Sequence, residues 1–519
     1  MPATVVAHPG ARRPEPITPE PAPSVLMTSE GDVNAALTPA RYRFGPLERR
    51  GLVAGWRGGQ IAALSVALVV AVGVLRASTA PAAIGVALAV VCIGVGAATW
   101  PLAGRTAEEW APDAWRHVVG TRCTTRRRGS PFGGMALLRV EVVDADEPGT
   151  AARCAGVLHD RRNRTFTAVL GASASGFVLL GPEDKARRVE AWAGVLASLA
   201  RQSTAVHRLQ WIERVDTSAP VPAPPHGAGP ERPSSTSVAA PDPARASYEE
   251  LLQMEGSAAP RHQVLVAVSV HAGESARAVK ACGGGDLGAC RMLLREVAAL
   301  RRRLSDAAID VGGALTPELL TASLRTGVGP LLPGGGARPS TTAADGGEEW
   351  PWPMGMAAEW GRVRVDGEWV ATYWVAEWPR TDVGPDFLGP LLLSSDVGRT
   401  VSVVMKPLGP IEAARQIERA RTADIADAEL RRRGGFLSSA RRRREEEVLA
   451  RREVEVADGH AQFQFSGYVS VRGAGPDALE AACGRIEQAA AQSGLQLRRC
   501  YGDQVHGFMC TLPLGRGLS

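Results

Sequence analysis

The chain has 519 residues, a formal net charge of +5 and 22% charged residues. That mild balance gives no ground for a nucleic-acid-binding protein, and 45% hydrophobic residues exclude a chain that is disordered throughout. The length suits two to four domains, and 58 Gly with 37 Pro require linkers between them. Eight cysteines lack C-x-x-C spacing, which suits buried thiols in a reducing compartment rather than zinc or redox chemistry.

Residues 1–40 are rich in Pro, Ala, Thr and Glu and read as a disordered arm, without the pattern of a signal peptide. Residues 41–120 carry a transmembrane hairpin. GGQIAALSVALVVAVGVL (58–75) and APAAIGVALAVVCIGVGAATW (80–100) contain no Asp, Glu, Lys or Arg. Each approaches the roughly 20 apolar residues that cross a bilayer, where a helix satisfies its own backbone hydrogen bonds. Arg41, Arg43, Arg49, Arg50 and Arg57 precede the first run; Arg105, Arg116, Arg122 and Arg126–Arg128 follow the second; the loop between them holds only Arg76. Arginine-rich flanks stay cytoplasmic, so two spans with both termini inside a plasma membrane are predicted. Trp56, Trp100 and Trp110 fall at the predicted interfaces.

Residues 121–215 form a first mixed segment, with strands at 135–144, 165–180 and 206–215. Between the last two, residues 182–202 predict a helix with Val189, Trp192, Leu196 and Leu199 on one face. A Pro-, Ala- and Ser-rich linker spans 216–243. The second segment, 244–326, has a strand at 261–272 and a helix at 286–307 with Leu287, Leu294, Val297 and Leu300 near helical spacing. A Gly-rich linker follows at 327–347. The third segment, 348–519, opens with Trp350, Trp352 and Trp360 and a hairpin around Asp366-Gly367. Then come a short helix at 386–393, a strand at 399–408, a long charged helical region at 411–459, a strand at 461–473, a helix at 477–495 and a strand at 496–503. The fold class is α+β: antiparallel sheet with helices on one face.

No catalytic, cofactor-binding or metal-binding residue is predicted. A phosphate-binding loop needs G-x-x-x-x-G-K-[ST], and none of Lys185, Lys280 and Lys406, the only lysines, follows a glycine. The Gly runs 283–285 and 334–336 lack that lysine; Gly283, Gly285 and Gly288 fit G-x-G-x-x-G, but no ordinary strand leads directly into them. His159 and Asp160 read as a solvated corner, and SASGF (173–177) lacks the nucleophile elbow. Arg441–Arg444 beside Glu445–Glu447 read as a self-paired helix, so no direct nucleic-acid contact is expected. The tryptophans of 350–378 read as strand core and protein interface.

Two stretches resemble known families. RYRFGPLERRGLVAGWRGGQIAAL with the paired spans, about residues 41–120, resembles the PrgI family of small membrane proteins of type IV secretion systems. DGEWVATYWVAEWPR, GRTVSVVMKPLGPIEAARQIERA and AQFQFSGYVSVRG through CTLPLG resemble the N-terminal, non-motor domain of the conjugation ATPase family. The heavy use of Ala, Gly, Pro and Arg fits a GC-rich, actinobacterial genome. The resemblance implies a non-catalytic inner-membrane scaffold of a type IV secretion or conjugation-like apparatus. Its implied partners are the lipid bilayer, a separate motor ATPase and other secretion-channel subunits, in an oligomeric assembly. The alternative is a membrane component of type VII secretion, EccE-like, which also has two spans followed by a soluble domain.

Overall fold

The computed structural model describes residues 3–6, 58–77, 80–99, parts of 110–142, 153–173, 177–201, 204–217, 261–328, 352–394, 397–434 and 440–518. Helices α1 (Gly58–Ala77) and α2 (Pro81–Thr99) pack against each other as a hairpin. Their outward faces carry Val66, Leu68, Val69, Val86, Leu88 and Ile93, all more than half exposed, while the buried positions are Ala71, Ala83, Ala87 and Ala98. This inverts the pattern of a water-soluble helix pair. Small residues at the contact and large apolar ones outside are how helices associate in lipid, where close backbone approach replaces the hydrophobic drive. A Cβ placed on Gly94 would lie 2.4 Å from the Cβ of Ala67. Gln60, the polar residue near the start of α1, donates to the Ala98 carbonyl at 2.7 Å. By length and composition Gly59–Ala77 is long and apolar enough to cross a membrane; the apolar part of α2, Pro81–Gly96, is shorter.

The remaining described elements build one antiparallel sheet of 14 strands. In chain order they are β1 (Ala3–Val6), β2 (Cys123–Thr125), β3 (Met135–Val142), β4 (Arg153–Asp160), β5 (Thr165–Ala172), α3 (Pro182–Arg201), β6 (Val206–Asp216), β7 (Arg261–His271), α4 (Ala276–Ala281), α5 (Gly285–Asp306), β8 (Val311–Ala314) and α6 (Pro317–Val328). Then follow β9 (Gly355–Ala358), β10 (Val363–Val365), β11 (Glu368–Glu377), α7 (Gly389–Leu392), β12 (Arg399–Leu408), α8 (Pro410–Gly434), α9 (Ala440–Ala457), β13 (Gln462–Gly473), α10 (Pro476–Gln492), β14 (Gln496–Arg499) and α11 (Gln504–Thr511). The spatial order is β2-β9-β10-β11-β13-β12-β6-β7-β5-β4-β3, with β1 on β13, β14 on β11 and β8 on β5.

That order contains the same unit twice. In the first half β3-β4-β5-β7-β6 lie side by side with β8 beside β5; in the second β9-β10-β11-β13-β12 lie side by side with β14 beside β11. Each half therefore reads first, second, third, fifth, fourth, with the sixth strand against the third. Register fixes the equivalence: Thr167 of the third strand faces Ser269 of the fifth, and Thr372 faces Ser470. Those serines in turn face Arg208 and Thr400 of the two fourth strands. The fourth strands, β6 and β12, pair with each other antiparallel, so a local twofold axis passes at the pair Trp211–Val403.

Helices α3 and α5 cover one face of the first half, burying Leu196, Leu199, Leu293, Val297 and Leu300 against Phe166, Leu170 and Val268. On the same face of the second half, α10 buries Leu479 and Ile486 against Tyr373 and Val469. Trp211 touches both clusters, which makes them continuous across the seam. The opposite face holds α6, α11 and residues 512–514, packed on Leu158, Ile212, Leu265 and Val370. Helices therefore lie on both faces, not on one as expected.

The antiparallel α+β expectation is met, and the structure corrects details. Leu287 is exposed; Ala289, Cys290, Met292 and Leu304 join Leu293, Val297 and Leu300 in the buried stripe of α5. The predicted strand at 165–180 stops at Ala172, and Phe177–Leu179 make a helical turn. Strands β4 and β8 and helix α6 were not anticipated. The three mixed segments share one sheet: β6 of the first pairs with β7 of the second and β12 of the third. Proline opens α3, α6, α8 and α10, where its missing N–H costs nothing.

Because a Cβ on Gly94 would lie 2.4 Å from the Ala67 Cβ, Gly94→Leu is expected to force α1 and α2 apart and lower the melting temperature of the chain in detergent. Gly96→Leu, where nothing stands within 4 Å, should not. Thermal unfolding of the two variants in detergent micelles reads the difference.

Candidate functional site

Several of the residues singled out from sequence have partners in the fold. His159 is 8% exposed and stacks on Phe166 with centroids 4.1 Å apart; Asp160 is 2% exposed. This is a buried turn, not a solvated corner. The Asp160 carboxylate accepts the amides of Arg162 and Asn163, each at 3.1 Å, and the Arg516 guanidinium, whose Nε lies at 3.1 Å. Burial pushes this carboxyl up, but the hydrogen bonds and charge of Arg516 and the turn donors of Asn163 carry it below its ordinary range.

The glycine run precedes α5 at φ of +107°, +73° and +60° for Gly283, Gly284 and Gly285, a left-handed path that glycine takes without strain. It follows α4, not a strand. Gly288 has its own steric reason: a Cβ there would stand 2.6 Å from the Val279 carbonyl oxygen. Lys185 pairs with Asp386 at 3.3 Å and Lys406 with Glu412 at 3.7 Å. Among the described residues no group of three or more His, Cys, Asp or Glu is arranged to hold a metal ion. Ser175 and the side chains of Arg441, Arg442, Arg444 and Glu445 lie outside the described residues; Arg421 and Glu453 bridge α8 to α9. Of the tryptophans, Trp352 is core, Trp374 donates to Ser466 at 3.0 Å and Trp378 packs on Phe465, while Trp360 is 40% exposed.

Sequence reasoning missed the polar seam at the twofold axis. Gln210 and Ser402 occupy equivalent places in the two halves and meet beside it, Gln210 Nε2 donating to Ser402 Oγ at 2.9 Å. Both are fully buried. The same amide nitrogen reaches the carbonyls of Cys510 and Leu512, and Gln210 Oε1 accepts the Gly515 amide at 2.8 Å. Arg208 donates to the carbonyls of Gly515 and Leu518, and Tyr468 to that of Gly517. Residues 510–518 are thus strapped across the junction by side chains of both halves. A Cβ on Gly515, at φ +65°, would overlap Ser269 Oγ at 2.0 Å. A second cluster lies at the end of α6. Arg214 donates to the Ser323 carbonyl at 2.9 Å and Arg472 to that of Thr326 at 3.0 Å. Burial, and then the neighbouring Arg472 charge, bring the Arg214 guanidinium down to about 9. The carbonyl end of a helix is where buried cations are best tolerated. The available signal was the alternation of Arg208, Gln210 and Arg214 with apolar residues in a strand that has no wet face.

What remains open to partners is surface. A groove of about 420 Å³ lies beyond the end of β11, lined by Trp378, Arg380, Phe387 and Gln496 among others. At the β9–β10 corner, Trp110 stacks on Trp360 at 5.6 Å and approaches Tyr501 at 5.9 Å, and His117 meets Trp360 edge-on at 5.3 Å. The Trp110 indole, expected at a membrane interface, therefore packs on the sheet domain. Arg362 lies over the Trp369 ring at 4.5 Å.

Residues 258–375 match the model of a family described as "Putative type VII ESX secretion system translocon, EccE". The match runs from β7 through most of β11, crossing the junction between the two repeats. It covers neither the hairpin nor most of the residues on which the conjugation-ATPase expectation rests. No curated protein matches the chain. The match supports the type VII alternative in preference to the type IV reading.

Replacing Gln210 by Leu should destabilise the fold by about 2–4 kcal/mol, because it strands the Gly515 amide and burdens Ser402 with the remaining carbonyls. Denaturant unfolding measures it. Burial lowers the His159 pKa more than Asp286 raises it. The folded state thus holds His159 neutral. Its contribution is present above the unfolded value of about 6.5 and is lost as pH falls towards the folded value. Stability should therefore decline as pH falls below about 6.5 and level off below the folded value, and His159→Phe should flatten the decline.

Proposed function

We propose that this chain is a membrane-anchored, non-catalytic subunit of a type VII-like secretion translocon. The observation that carries the reading is the family match at 258–375, on a chain whose α1 is long and apolar enough to cross a membrane. In this reading α1 and α2 both span the plasma membrane with the termini inside, which the arginine-rich flanks support. The sheet domain holds a motor ATPase and other translocon subunits at the inner face. Lack of a phosphate-gripping lysine supports a role in assembly, with energy supplied by a partner. The repeated unit supports it too: the buried Gln210 and Ser402 are spent in joining the halves to each other and to residues 510–515. The type IV reading rests on resemblance alone.

Tagged full-length chain, extracted from membranes of its own host in mild detergent, should co-purify with the subunits of a type VII locus, an ATPase among them. Deleting the chain should stop export of that locus's small helical-hairpin substrates. Recovery as a lone monomer, together with unimpaired export, would overturn the assignment.

A further inference from the structure

We propose that the open edge of β3 is an interface between two copies of this chain, which pair antiparallel there about a twofold axis at Val140. Among the described strands β3 (Met135–Val142) ends the sheet and has β4 as its one neighbour. At eight residues it is long for an edge. Edge strands are commonly blunted by brevity, by proline or by inward-pointing charge. The sequence MALLRVEV is apolar towards both faces instead. Leu138 and Val140 join the core under α3 and α5, and Met135 and Leu137 join the core on the α6 side. Apolar runs of that kind belong to strands inside a sheet that is covered on both faces.

Register and charge identify the occupant. In a strand paired on one side, the outward N–H and C=O groups belong to alternate residues, so an antiparallel ladder opposes residues of one parity. Two identical strands therefore meet about an axis at a residue, never between two. An axis at Arg139 opposes the two arginines, and one at Glu141 opposes the two glutamates. An axis at Leu138 sets Arg139 against Leu137 and Glu141 against Met135. The axis at Val140 sets Arg139 of each copy against Glu141 of the other, and both side chains are exposed. Opposite charges directly across a ladder attract and like charges repel, so the strand is complementary to itself in that register. Arg139 also donates to Glu318 of α6 at 2.5 Å, and a guanidinium has several N–H donors, enough for both carboxylates. The fold already performs this operation once. Strands β6 and β12, equivalent in the two repeats, pair antiparallel about the axis at Trp211–Val403. An interface of this kind presents the same patch on both partners and closes as a dimer.

The full-length chain in mild detergent is measured by native mass spectrometry, with the thermal unfolding of each variant compared with wild type. Wild type should give a dimer that dissociates on dilution. Arg139→Glu sets a glutamate against Glu141, and Glu141→Arg sets an arginine against Arg139. Each should weaken self-association about tenfold. Mixed one to one, the two variants restore both attractions across a heterodimer, so the mixture should recover wild-type affinity. Loss of dimer through misfolding would not recover on mixing. A wild-type chain that stays monomeric, single variants that dimerise as well as wild type, or a mixture that does not recover overturns the proposal.

Discussion

The antiparallel pairing of β6 with β12 is the contact on which this architecture depends. Each belongs to a different copy of the repeated unit, and each is the fourth strand of its copy. Their ladder turns two smaller sheets into one and places a local twofold axis at Trp211–Val403. On one face Trp211 joins two apolar clusters into a continuous core. On the other, the axis brings two polar side chains together where water is excluded. An unpaired buried amide costs about 1–3 kcal/mol, so Gln210 and Ser402 require partners there. The carbonyls of 510 and 512 and the amide of 515 provide them. The strap across the seam is thus demanded by the seam itself.

The two copies share topology and differ in their insertions. Where the second has the charged pair α8–α9 between its fourth and fifth strands, the first has residues 218–260. Where the first uses the long α3, the second has the single turn α7, whose carbonyl of Leu392 is capped by the buried Arg399. The sixth strands are short in both, and α11 extends the ladder by a side chain: Gln504 Oε1 accepts the Thr372 amide at 2.8 Å. A family match that crosses the junction of the repeats fits a unit in which both halves are needed to complete one core.

The hairpin obeys a different physics. In the sheet domain, leucine and valine are inside because water expels them. In α1–α2 they are outside, and alanine and glycine make the contact. The segment that follows links the two regimes, since Trp110 packs as a core residue would while Trp115, five positions on, does not.

The sequence alone determined the elements whose signal is local. The apolar runs at 58–75 and 80–100, the stripe of α3, the Asp366-Gly367 turn at φ of +46° and +100°, and strands β7, β12 and β13 follow from periodicity and turn chemistry. It also shows that G-x-x-x-x-G-K-[ST] has no copy, because that motif is contiguous. Tertiary structure alone decided what depends on distant pairing. The duplication left little sequence trace beyond Val268-Ser269-Val270 and Val469-Ser470-Val471, because a fold constrains which positions are apolar far more tightly than which apolar residue fills them. Strand β4, with Gly156 and a charged end, reads as loop until β3 and β5 flank it. Gln210, Asp160 and Arg214 look like surface residues in a linear reading. They became interior only because residues hundreds of positions away closed over them, and burial is a property of the assembled chain.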